Sequence, residues 1–208
     1  MSATSAPRGL KPIGLLGGMP FAGSTREFLI KSGYATAIFN GDVVGLADTA
    51  NSTDDGYLVR EAVASEVNPI GVFLGCSYTD PSTGQKTFKQ YYPGSIAASD
   101  IKAVVSANPF TLYELQADGA IAQTQLGMTA DLVQTQAGST ATGNSGIQLD
   151  ASTASVGGEC WKIVDFVERV GSEIGDAKTD VIVMTVSYTH LRAHETLRYL
   201  VCRLLLEK

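Results

Sequence analysis

The residues with the most evident chemistry lie near the C-terminus. His190 and His194 stand four positions apart, which on a helix would put two imidazoles on one face, and Cys202 offers a third zinc ligand. Carboxylates occur at Asp54, Asp55, Asp100, Glu114, Asp118, Asp150, Asp165, Glu168, Glu173, Asp176 and Asp180. Glycosidase or aspartic chemistry needs two of these converging in one cleft, which spacing alone does not show; a solvated β-surface explains them more simply. Asp54-Asp55-Gly56 lacks the alternating oxygen ligands of a calcium loop and reads as a turn. The glycine strings at 14–18 and 138–146 match neither GxxxxGK[ST] nor GxGxxG, and neither carries a lysine where a phosphate would need one. Tyr91, Tyr92 and Trp161 could stack on a sugar, but strand aromatics more often fill a core or pair across strands.

The histidines stand in a segment with another origin. Residues 186–208 resemble the translated end of a transposase-based sequencing library. Read in the frame that completes Thr185, the adapter gives VSYTHLRAHE, Val186 to Glu195, without a mismatch. After an index-encoded stretch, its distal part closes Tyr199 and spells LVCRLLLEK, Leu200 to Lys208. The alternative is a C-terminal helix with Leu197, Leu200 and Leu204 as a loose apolar face. A non-native tail is set aside before fold reasoning. Met1 to Thr185 then contains no histidine, keeps only Cys76 and Cys160, and is expected to be truncated, with the native C-terminus beyond Thr185.

That subtraction excludes function classes. His-dependent triads, histidine bases and most zinc sites fall away. Cys76, in FLGCSY, has no histidine to activate it and is expected to be a buried thiol, as is Cys160. The whole chain carries 15 basic and 21 acidic residues, net -6; without the four basic and two acidic residues of the tail, 11 stand against 19, net -8. So acidic a chain offers no footprint for a phosphate backbone, so no nucleic acid is expected, and no apolar run has the length of a membrane span. No catalytic, cofactor-binding or metal site is expected, and the chain is read as a non-enzyme.

The elements that would position any site are short strands. Residues 1–24, rich in Gly, Pro, Ser and Ala, suit an extended arm or a disordered tail. Strand-like runs follow at 28–31, 34–39, 42–46, 56–60, 70–78, 87–92, 101–105 and 112–116. Asn40-Gly41 signals a type I′ hairpin between the second and third, and 79–84 a tight turn. Beyond Asp118-Gly119 the sequence predicts one short helical turn within 120–127, strands at 128–134, 146–150, 160–167 and 180–184, and a low-complexity loop at 135–145. The expected fold is all-β with little helix: an extended arm (1–24), a compact β-barrel or sandwich (25–117), a smaller β unit (118–185) that stands alone or completes the first, and the adapter-derived tail (186–208).

GYATAIFNGDVV (33–44), PIGVFLGCSYTDPSTGQKTFKQYYP (69–93), ELQADG (114–119), GSTATGNSGIQLDAST (138–153), WKIVDFV (161–167) and EIGDAKTDVIVM (173–184) occur in that order. Together they resemble small structural proteins of tailed bacteriophages common in marine samples, from about Leu10 to Met184. The resemblance implies a virion protein assembled in the cytoplasm of a bacterial host. It implies a capsid decoration or cement role, with the major capsid protein and further copies of itself as partners, a trimer among the possible oligomers. The arm from Leu10 to Phe21 and the strand edges would make the contacts. A β-domain binding carbohydrate or another surface ligand is the alternative, favoured if Tyr92 or Trp161 lines a groove. A hydrolase of uncommon type is a third, requiring two of the carboxylates in one cleft.

Overall fold

The computed structural model describes residues 5–47, 56–61, 69–155, 159–167, 169 and 172–186. Asp54, Asp55, Glu168, His190, His194 and Cys202 lie outside them. The described chain is all-β, with two 3-10 turns, Gln123–Gln125 and Ala151–Thr153, as its helical content. Its strands are β1 (Lys11–Leu15), β2 (Arg26–Leu29), β3 (Val43–Leu46), β4 (Leu58–Arg60), β5 (Gly71–Thr79), β6 (Lys86–Lys89), β7 (Lys102–Ser106), β8 (Thr111–Gln116), β9 (Thr129–Ala130), β10 (Leu132–Gln134), β11 (Ile147–Leu149), β12 (Trp161–Phe166) and β13 (Asp180–Thr185).

All strand pairs are antiparallel. One sheet runs β1-β8-β13-β12-β9, a second β2-β7-β5-β3-β4 with β6 also on β5, and β10 pairs with β11. The packing is that of a sandwich, and the described strands close no barrel. β8 shows why alternation makes a strand: Thr111, Tyr113 and Leu115 are buried while Leu112, Glu114 and Gln116 are half-buried, the period of two that covers one face. β8 lies before the boundary read at Asp118, yet it pairs with β13, Val181 opposite Leu115 and Val183 opposite Tyr113. The segments before and after residue 118 therefore share one sheet. Residues 5–24 are extended apart from a turn at 15–19, and from Leu10 onward they belong to the body: Leu10 is fully buried and β1 pairs with β8.

Two cores form. One gathers Leu10, Tyr113, Leu115, Leu132, Trp161, Ile163, Val181 and Val183, and the other Ile30, Ile38, Leu58, Phe73, Tyr92, Ile101 and Val105. The second sheet stands between them. Val43 and its cross-strand partner Val72 point into the first core, while their neighbours Val44 and Phe73 point into the second. Burial on both faces explains the unbroken apolar run at the start of β5.

The hairpin expected at Asn40-Gly41 does not form. Ile38 bridges to Tyr92, Asn40 bridges to Asn144, and β3 pairs with β4 and β5 instead. Gly41 has φ +91°, whereas Asn40 is not among the positive-φ residues, so the type I′ requirement fails. Gly41 answers a non-local demand: a Cβ there would lie 2.9 Å from both Gly9 Cα and Leu10 N. The glycine lets the N-terminal segment cross.

Candidate functional site

The first candidate is an apolar end on the β1–β8 sheet. β1 leads into a turn in which Leu15 N donates to Met19 O (2.8 Å) and Gly18 N donates to Leu15 O (2.9 Å), with Gly18 at φ +78°. Leu16 N donates to Phe110 O at 2.9 Å, tying this turn to the one that starts β8. That second turn is set by Asn108, whose Oδ1 accepts from Phe110 N (2.9 Å) and whose carbonyl accepts from Thr111 N (3.1 Å). The two turns carry Leu16, Met19 and Phe110, which are 48%, 64% and 59% exposed, and Ile13 is exposed on β1 beside them. Exposed apolar side chains gathered on hydrogen-bonded turns are the usual form of a protein contact surface.

The second candidate is polar. Asp42, fully buried, receives a hydrogen bond from Phe39 N (2.8 Å, on Oδ2) and one from the Ser145 hydroxyl (2.5 Å, on Oδ1). Arg60 Nε lies 3.1 Å from Oδ2, near enough for an ion pair, but its N–H is not aimed to make a hydrogen bond. Burial pushes the Asp42 carboxyl above its ordinary pKa, against the opposing pull of the Phe39 amide, the Ser145 hydroxyl and the guanidinium. Arg60 Nη2 donates to Gln134 Oε1, and Arg60 N donates to the Tyr34 hydroxyl at 3.1 Å. In front of Arg60 opens a groove of about 380 Å³, lined by Thr36, Phe39, Gln134, Thr135 and Gln136 among others. Phe39 shows the groove little of its ring, because one face stacks on Tyr91 (5.4 Å, 11°) and a Cβ on Gly138 would lie 2.3 Å from the ring.

The third is the place where two of the eleven carboxylates meet. Glu114 and Asp180 are both bound by Arg169, Nη1 to Glu114 Oε1 at 2.9 Å and Nη2 to Asp180 Oδ2. Burial works against the charge on Arg169, but the two carboxylates outweigh it and raise the guanidinium's pKa. The pocket they border holds about 20 Å³, room for one water. Two acids clamped by a guanidinium around so small a space have no place for a substrate between them.

Five other carboxylates of that set serve local structure. Asp100 accepts from Thr79 N (3.0 Å), from the Thr79 hydroxyl (2.7 Å) and from Lys86 Nζ (2.9 Å), which hold its pKa well below the usual carboxylate range. Asp118 accepts from Ala151 N, Asp150 caps Ser152 N, Asp165 binds Phe166 N and Asp176 binds Glu173 N. Tyr92 and Trp161 are fully buried. The Tyr92 hydroxyl donates to Tyr34 O at 2.9 Å, and Trp161 meets Tyr113 edge-on at 6.0 Å. Neither lines a groove. No disulfide joins Cys76 and Cys160, and burial pushes the Cys76 thiol up to about 11. Among the described residues no three His, Cys, Asp or Glu are grouped to hold a metal, and no helix is long and apolar enough to cross a membrane.

No family model, curated protein or solved structure matches the chain.

Sequence reasoning passed over Arg60, Asp42 and the Asp131–Glu159 pair. The last two share a hydrogen bond that raises the Glu159 pKa, with burial and the Asp131 charge adding to it. No local motif signals these residues, since the groove takes its walls from positions 36–39, 60 and 134–138. A lone arginine on a short strand, next to a run that otherwise reads apolar, is the one clue the sequence offered.

Proposed function

We propose that the protein is a bacteriophage virion structural protein that decorates the head and docks on the major capsid protein through the apolar end formed by Leu16, Met19 and Phe110. The observation that carries this is the exposure of those three side chains on turns fixed by the Leu16–Phe110 backbone hydrogen bond. A presented, pre-ordered apolar cluster loses little conformational entropy on binding, which suits a protein that must occupy every equivalent position of a lattice. The chain's net negative charge would keep unassembled copies apart by repulsion. A binding role rather than an enzymatic one accords with the Glu114–Arg169–Asp180 clamp and with a Cys76 thiol buried and protonated at neutral pH.

Removing residues 1–24 is a poor test, because it takes Leu10 out of the core and β1 off its sheet. Point substitutions are cleaner. Leu16→Ser, Met19→Ser and Phe110→Ser combined are expected to leave the circular dichroism spectrum intact and to abolish co-sedimentation with empty capsids of the phage. Co-sedimentation equal to the unsubstituted protein would overturn the assignment.

A further inference from the structure

The groove in front of Arg60 lies well away in sequence from the apolar end, and its donors and acceptors are unevenly engaged. Arg60 Nη2 is bound to Gln134 Oε1 and Nε faces Asp42, whereas Nη1 makes no hydrogen bond among the described residues. Because Gln134 Oε1 is taken by the guanidinium, the amide offers its Nε2 hydrogens, which also find no partner among the described residues. The Thr135 hydroxyl is directed to Gln148 Oε1. The open valences on this wall are therefore N–H donors, and one of them is charged. Such a wall favours a ligand that only accepts, and a carboxylate is the group whose geometry best matches a guanidinium. The guanidinium borders the groove with Nε 3.1 Å from Asp42 Oδ2 and Nη2 on Gln134, which leaves Nη1 as its unbonded end.

The rest of the lining narrows the ligand class. Thr36 adds a hydroxyl and Gln136, whose Nε2 donates to Ser5 Oγ at 3.4 Å, an amide oxygen suited to a sugar hydroxyl, and about 380 Å³ is at the low end of ligand-pocket sizes. An extended peptide would pair with the edge of β4, but the Arg60 amide there is already capped by the Tyr34 hydroxyl at 3.1 Å. We propose that the groove between β4 and β10 binds an acidic sugar, with the sugar carboxylate on Arg60 Nη1 and Gln134 Nε2. This goes beyond the capsid assignment and does not depend on it. A virion protein carrying such a site would present a weak glycan contact on the particle.

The test is a titration of the isotope-labelled full chain, read by amide chemical shifts at low ionic strength, with sodium glucuronate, methyl glucoside and N-acetyl-aspartate amide as separate probes. Glucuronate is expected to shift the amides of Thr36, Ala37 and residues 134–137 with a dissociation constant on the order of 1 mM. The glucoside is expected to bind about tenfold more weakly or not at all, and added salt to weaken the glucuronate response. Ala137→Trp occupies the groove while leaving Arg60 and Asp42 themselves unsubstituted, and should cut glucuronate affinity about tenfold while leaving the melting temperature unchanged. Arg60→Met should abolish it, whatever its effect on stability. The proposal is overturned by an absence of groove shifts at about 10 mM glucuronate, by equal responses to glucuronate and glucoside, or by undiminished binding to Ala137→Trp. A preference for the acetyl-aspartate amide would make the groove a peptide site and would overturn it equally.

Discussion

Arg60 and Arg169 are both arginines beside buried acids, but they are used differently. Arg169 spans two carboxylates, Glu114 and Asp180, with one nitrogen on each, and the pocket beside them holds about one water. Arg60 meets a single carboxylate that is already bound by Phe39 N and the Ser145 hydroxyl, leaves Nη1 without a hydrogen bond among the described residues, and borders a groove of about 380 Å³. Arg169 makes a hydrogen bond to each of its acids, whereas Arg60 Nε faces Asp42 without one. The two also differ in the space in front of them. A guanidinium shared between two acids ties neighbouring strands of one sheet, whereas one beside a single acid with open space in front can also recognise a ligand.

The sharpest way to break this comparison is to remove one member of each cluster. Asp42→Ala leaves the Phe39 amide and the Ser145 hydroxyl without their acceptor in a fully buried site, and is expected to cost about 3–5 kcal/mol in urea denaturation. Arg169→Met leaves Glu114 and Asp180 facing each other, but Arg169 is 39% exposed and water can screen the pair, so a loss of about 1–2 kcal/mol is expected. Equal losses would show that the two sites are one kind of structural bridge.

The pH dependence separates buried from exposed acids in sign. The Asp42 pKa is raised by burial, so its contribution is fully present below the unfolded value, near pH 4, and is lost as pH rises through the folded value. Asp100 is the reverse: its lowered pKa contributes stability above about pH 4 that disappears as pH falls through the folded value. Melting temperature measured against pH should therefore decline less above pH 4 in Asp42→Asn than in the parent, and decline less below about pH 4 in Asp100→Asn. Parallel curves for all three proteins would contradict both assignments.

Much of the sheet architecture is legible in the sequence because it rests on local pattern. The alternation of Thr111, Tyr113 and Leu115 and the β-branched run Val181-Ile182-Val183 mark β8 and β13 directly, and the 79–84 turn is closed as its residues suggest, by Asp80 N to Gln85 O and Gly84 N to Asp80 O. The segment 34–39 misleads for a physical reason. Its Asn-Gly signal is real, but the glycine is required by the crossing of Gly9 and Leu10, residues some thirty positions away, so a local rule names the residue and misses its purpose. The aromatics Tyr92 and Trp161 show the same limit from the other side: their types allow a sugar platform or a core, and only long-range packing chooses the core. The groove was invisible because its chemistry depends on what Arg60 and Gln134 leave unbonded, a property of the folded pair and of neither residue alone.

The strands β3 and β5 have Val43 and Val72 in one core and Val44 and Phe73 in the other. A wall common to two chambers cannot yield on one side without opening the other. Disruption of either core exposes the back of the same two strands, so the described body melts as one cooperative unit, and the amides of β3 and β5 exchange with solvent only on global opening. Loss of form is then an all-or-none event instead of a gradual fraying.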